Sequence, residues 1–236
     1  MGFVVVAGLL VVGFILFAAT RGVREVYRRL KRAEYIRTAP WPPGLFERVQ
    51  RRYPQLSRKD MALIGNGLRQ FFLAYLNGGR RYVAMPSEAA DQLWHEFILY
   101  TREYQKFCDT AFGRFLHHTP AMVLSPQHKQ SNEGLRRVWW QCCREEGINP
   151  SNPSRLPLLF ALDAKFRIPN GFYYHPNCEQ LRRQGVAGAQ CGGDFSSSSV
   201  DGGTDGFGGS GSGASGDGGG DSGGDSSCGG GCGGGD

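Results

Sequence analysis

Residues 57–79 read SRKDMALIGNGLRQFFLAYLNGG. Apolar side chains recur at Met61, Ile64, Leu68, Phe71, Phe72, Tyr75 and Leu76, the three- and four-residue spacing of one helix face. Ser57 stands where an N-cap hydroxyl serves the first turn, and Gly78-Gly79 ends the run. The stripe suits a face that packs into a core rather than one that holds a cofactor. A long central helix is the element around which the rest of the chain is read.

Towards the N-terminus, Pro40, Pro42 and Pro43 break the chain ahead of a short helix from Gly44 to about Arg52. Towards the C-terminus, Tyr82 to Pro86 reads as an extended link. Ser87 then caps a helix carrying Leu93, Trp94, Phe97 and Ile98. Thr101 opens another, with Tyr104, Phe107, Cys108 and Phe112 along one side and Gly113 as its stop. Ser131 or Asn132 starts a helix with Leu135, Val138, Trp139 and Cys142, ended by Gly147. Ser154 and Pro157 introduce a last one through Leu158, Leu159, Leu162 and Phe166. No stretch alternates as a strand would. The expectation is an all-α fold with a compact domain of four to six helices over residues 41–180.

Residues 2–20 hold no charged side chain. A bilayer core of roughly 30 Å calls for about 20 apolar helical residues, so a transmembrane anchor is expected over residues 1–20. The alternative is a cleaved secretory signal, which begins with basic residues and has a shorter apolar core; nothing basic precedes this run. A basic segment follows over residues 21–40, with Arg21, Arg24, Arg28, Arg29, Lys31, Arg32 and Arg37 against Glu25 and Glu34. Basic flanks stay on the cytoplasmic side. The expected placement is therefore single-pass in the cell membrane, N-terminus outside and domain in the cytoplasm. The same segment also suits anionic lipid headgroups.

Residues 181–236 form a Gly/Ser/Asp-rich tail. From Gly192 onward it holds seven aspartates and no Lys or Arg, so the preceding residues carry +13 against +6 for the whole chain. Such a composition has too little apolar surface to offset its ordering entropy, and a disordered tail is expected. Much of the basic excess lies beside the apolar N-terminal run, so nucleic acid is not the favoured partner. The cysteines are Cys108, Cys142, Cys143, Cys178, Cys191, Cys228 and Cys232, an odd and irregular set. With a cytoplasmic domain, free thiols rather than a disulfide framework are expected.

Chemistry concentrates between Trp94 and Pro120. His95, Cys108, His117 and His118 are the side-chain types that hold zinc and similar divalent metals. On one unbroken helix, His95 and Cys108 would lie about 140° apart; a break near Thr101 is needed to bring them together. The other reading makes His95 an interface imidazole, Cys108 a small core side chain and His117-His118 a polar helix end. A thiol nucleophile is disfavoured because Cys108 shares an apolar stripe with Tyr104. His175 and Cys178 have ligand-like spacing without a second pair. Phosphate-loop, dinucleotide-loop, zinc-protease and nucleophile-elbow motifs are all absent from the sequence.

The segment from Asp91 to His118 resembles the glycine-rich domain-containing proteins of plants and their bacterial relatives. Trp94-His95, Leu99, Tyr104, Cys108 and Gly113 carry the likeness, and the run from Phe112 to Pro120 (Phe-Gly-Arg-Phe-Leu-His-His-Thr-Pro) resembles the bacterial forms. Phe97 and Thr101 depart from the plant pattern, which has a second His and a Pro there. The resemblance implies a helical fold and no established enzymatic activity. Together these readings point to a membrane-tethered helical binding or scaffold module with a protein partner. The alternatives are a metal-dependent enzyme or metal-binding domain using the His/Cys cluster, and an electrostatic regulator at a membrane surface.

Overall fold

The computed structural model describes residues 2–118, 133–176, 178, 183 and 190–196, with the backbone alone for residues 2–7, 194 and 196. The Gly-rich stretch from residue 197 on, with Cys228 and Cys232, lies outside the described residues. So does the expected helix start at Ser131 or Asn132. Seven helices are described: α1 (Gly2–Thr38), α2 (Leu45–Arg52), α3 (Arg58–Asn77), α4 (Glu88–Leu99), α5 (Thr101–Phe112), α6 (Glu133–Glu145) and α7 (Leu158–Phe166). Two-residue strands β1 (Tyr174–His175) and β2 (Gln190–Cys191) pair in parallel, and a 3₁₀ turn follows over Gly192–Ser196.

The helix read from residues 57–79 is the hub. Ser57 and Asp60 form a reciprocal capping box, in which each side chain accepts from the other's backbone N–H. Helix α3 packs against α1, α2, α4, α6 and α7, so Ile64, Leu68, Phe71 and Phe72 are fully enclosed. Gly67 allows the close approach of α7: a Cβ there would stand 2.5 Å from Leu162 Cδ1. Around Phe72, the rings of Trp94, Phe107 and Phe112 pack at tilted and edge-on angles, the arrangement aromatic quadrupoles favour.

Two helices start on acceptors from elsewhere in the fold. Pro157 offers α7 no side-chain cap; Glu146 accepts from Leu158 N at 2.6 Å and Gln70 from Leu159 N at 3.0 Å. Burial pushes the Glu146 carboxyl up. Hydrogen bonds from Gln70 and Leu158 and the Arg155 ion pair outweigh that and hold it below the usual range. At α4, Ser87 caps Ala90 N, and its hydroxyl donates to Asp163 from α7. Asp163 also accepts from the backbone N–H groups of Glu88, Ala89 and Phe172. The first turn of α4 is thus held by a buried carboxylate distant in sequence.

Three expectations are corrected here. Among the described residues, no helix is long and apolar enough to cross a membrane. The transmembrane anchor over residues 1–20 is therefore not supported. The single-pass cell-membrane placement, with N-terminus out and domain in the cytoplasm, falls with it. Instead α1 continues unbroken through the basic segment, and its last turns bury Ala33 and Ile36 against the domain. Finally, Cys178 and Cys191 are joined in a disulfide with Cα atoms 5.6 Å apart. The β1–β2 pairing, invisible to cysteine spacing, brings them together.

Candidate functional site

Asp91 and His95 lie one turn apart on α4, so both project from the same face. His118 arrives on the irregular segment that follows α5. One ligand-type atom from each of these three residues lies within 4.8 Å of the other two. His118 Nε2 is 2.9 Å from Asp91 Oδ1, and His95 Nδ1 is 3.6 Å from Asp91 Oδ2. The two imidazoles pack at a tilt of 48° with centroids 4.3 Å apart, and His118 also packs on Trp94 at 4.6 Å. The His95 side chain is 45% exposed, while Asp91 and His118 are more enclosed, at 20% and 18%. The site is a shallow cluster at the domain surface with one wall built of core aromatics.

Of the four residues expected to bind metal, the structure brings together His95 and His118. The break does fall where α4 meets α5, at Tyr100. Even so, the turn does not carry Cys108 to His95. Cys108 sits fully buried on the inner side of α5. Burial pushes its thiol up, partly offset by hydrogen bonding with the Leu116 backbone and the Tyr104 hydroxyl. A neutral, enclosed thiol is a poor ligand and a poor nucleophile. His117 stands outside this cluster and packs on Phe115 at 4.7 Å. Cys142 and Cys143 are both buried, with burial pushing the Cys143 thiol up to about 12. Cys178 is committed to its disulfide rather than paired with His175.

Asp91 is the member that the sequence reading missed. Its signal was present: a carboxylate four residues ahead of a histidine shares that histidine's helix face.

The model of the UCP032817-like family matches residues 31–195. The chain belongs to the UCP032817-like family. This corrects the expected membership in the glycine-rich domain-containing family: the residues that suggested it, Trp94 to Pro120, fall inside the UCP032817-like match, and that family is uncharacterised. No curated protein and no solved structure matches the chain. The UCP032817-like match takes in α2 to α7 and the last turns of α1, including every residue of the Asp91–His95–His118 cluster.

Proposed function

We propose that the chain is a helical metal-binding module whose Asp91, His95 and His118 hold one divalent transition-metal ion. The observation that carries this is the convergence of two imidazoles and one carboxylate from two separate segments. Ligands at about 2.1 Å in a tetrahedral shell stand roughly 3.4 Å from one another. The Asp91 contacts, 2.9 and 3.6 Å, bracket that spacing. Two imidazoles with one carboxylate suit zinc or iron(II) better than calcium or magnesium, which prefer oxygen alone. A bound ion would act as a Lewis acid towards water or an oxygen ligand. The partly enclosed Asp91 and His118 anchor the ion, and His95 closes the site from the solvent side.

The test is a titration of the chelator-stripped full chain with Zn(II), Co(II) and Fe(II), with bound metal counted by elemental analysis. About one equivalent is expected. Asp91→Ala or His118→Ala should weaken binding by more than about 100-fold, beyond what loss of an outer-shell partner causes. His117→Ala should leave it unchanged. Absence of binding by any of these ions in the folded chain, or binding indifferent to Asp91→Ala and His118→Ala, overturns the reading.

A further inference from the structure

Tyr104 touches none of the three cluster residues, yet it is hydrogen-bonded next to both segments that carry them. Its hydroxyl accepts from Trp94 Nε1 at 3.0 Å and donates to the Leu116 carbonyl at 2.5 Å. Trp94 is the residue before His95 on α4. Leu116 lies two residues before His118, within about 7 Å along the chain. All three links of this chain are buried, and Tyr104 is completely so. Phe97 and Phe115 meet the Tyr104 ring edge-on, with centroids 5.1 and 5.2 Å away, which fixes its orientation. Cys108, one turn further along α5, is fully buried as well.

The segment after α5 makes no helix of its own here, so its path needs an outside tie. Gly113 ends α5 in the left-handed region at φ 71° and turns the chain back. The returning segment must then find a partner for its buried Leu116 carbonyl, since an unpaired buried carbonyl costs about 1–3 kcal/mol. The Tyr104 hydroxyl is that partner. By holding Leu116 and the Trp94 indole at once, it sets the gap between α4 and this segment, and so the distance from His118 to Asp91.

We infer that Tyr104 is a positioning residue of the Asp91–His95–His118 site, joining its two halves through a buried Trp94–Tyr104–Leu116 hydrogen-bond chain; the inference rests on the metal-binding reading above. The residue types shared by this stretch then divide by role. Asp91, His95 and His118 face the ion, while Trp94, Tyr104 and Leu116 form the strut behind them.

The experiment compares the full chain with Tyr104→Phe, which keeps the ring and removes the hydroxyl, and with Val138→Ala, a buried control on α6. Zn(II) affinity is read by chelator competition and site geometry by the ligand-field spectrum of bound Co(II), at a temperature where all three proteins are folded. Tyr104→Phe should bind about 10- to 100-fold more weakly, the usual cost of losing an outer-shell tie, with an altered Co(II) spectrum. Val138→Ala should match wild type in both. Wild-type affinity and spectrum in Tyr104→Phe overturn the inference, as does an equal loss in Val138→Ala. If the wild-type chain itself binds no metal, the metal-binding reading fails. Positioning is then decided in the metal-free protein by NMR contacts between the His118 and Trp94 rings, whose persistence in Tyr104→Phe overturns the inference and whose loss supports it. Should Tyr104→Phe not fold, Trp94→Phe cuts the chain at its other bond and is judged by the same affinity and spectrum.

Discussion

Replacing Asp163 by Asn keeps the shape of the side chain and disturbs the start of α4. The carboxylate accepts four hydrogen bonds: Oδ1 takes the Ser87 hydroxyl at 2.7 Å and Ala89 N at 3.1 Å, and Oδ2 takes Glu88 N at 2.8 Å and Phe172 N at 2.9 Å. An amide offers only one acceptor oxygen. With its NH₂ turned to the Oδ1 side, the Ser87 hydroxyl can re-aim but the Ala89 N–H is orphaned. Turned the other way, both Glu88 and Phe172 lose their acceptor. A buried unsatisfied donor costs about 1–3 kcal/mol, and hydrogen bonds to a carboxylate are stronger than those to an amide. The expected loss is therefore about 3 kcal/mol. With a urea dependence of about 2 kcal/mol per molar, the midpoint should fall by about 1.5 M at unchanged slope. Urea unfolding of the full chain, followed by far-UV circular dichroism and tryptophan fluorescence, measures this directly. Ser87→Ala should cost less, about 1 kcal/mol. The double variant should fall short of the sum, because the two side chains share one hydrogen bond. A midpoint shift under about 0.5 M for Asp163→Asn would refute the claim that this carboxylate holds the first turn of α4. Ser87 O accepts from Asp91 N at 2.9 Å, so that turn leads straight into the candidate site.

Other outcomes follow from the same contacts. Glu146 is held below its ordinary pKa of about 4.5, so its contribution to stability is fully present above that pH and is lost as pH falls through the depressed folded-state value. Unfolding free energies measured between pH 6 and 3 should fall below about pH 4.5, and Glu146→Gln should reduce that slope; an unchanged slope would argue against it. The Cys178–Cys191 bridge spans 13 residues of sequence. In the chain-entropy account, Cys191→Ser should cost about 3 kcal/mol, lowering the melting temperature by about 9 °C. A melting temperature unmoved by this substitution, with the bridge verified in wild type by mass spectrometry, would sink that estimate.

The local elements were legible because their causes are local. Ser57, the stripe from Met61 to Leu76 and the Gly78-Gly79 stop all act within a turn or two of one another, and α3 forms where they placed it. Gly113 likewise ends α5 through its own backbone freedom. Two of the three candidate-site residues were readable in the same way, since Asp91 and His95 are related by helix geometry alone.

The remainder depends on contacts that no sequence spacing encodes. His118 joins the cluster, and His117 does not, on an irregular segment whose Leu116 carbonyl accepts from the Tyr104 hydroxyl of α5. Cys108 has the right chemistry and the wrong side: its helix face is committed to the core. Apolar content at the N-terminus suggested an anchor, but among the described residues no helix is long and apolar enough to cross a membrane, and the same helix carries on to bury Ala33 and Ile36 in the domain. The disulfide exists because two-residue strands pair across a gap in the chain. The sequence by itself determined where α3 begins and ends and where α5 stops, since those caps, stops and periodicity are short-range effects. Only the tertiary structure decided which imidazoles and carboxylate meet, because that is set by buried hydrogen bonds between elements far apart along the chain.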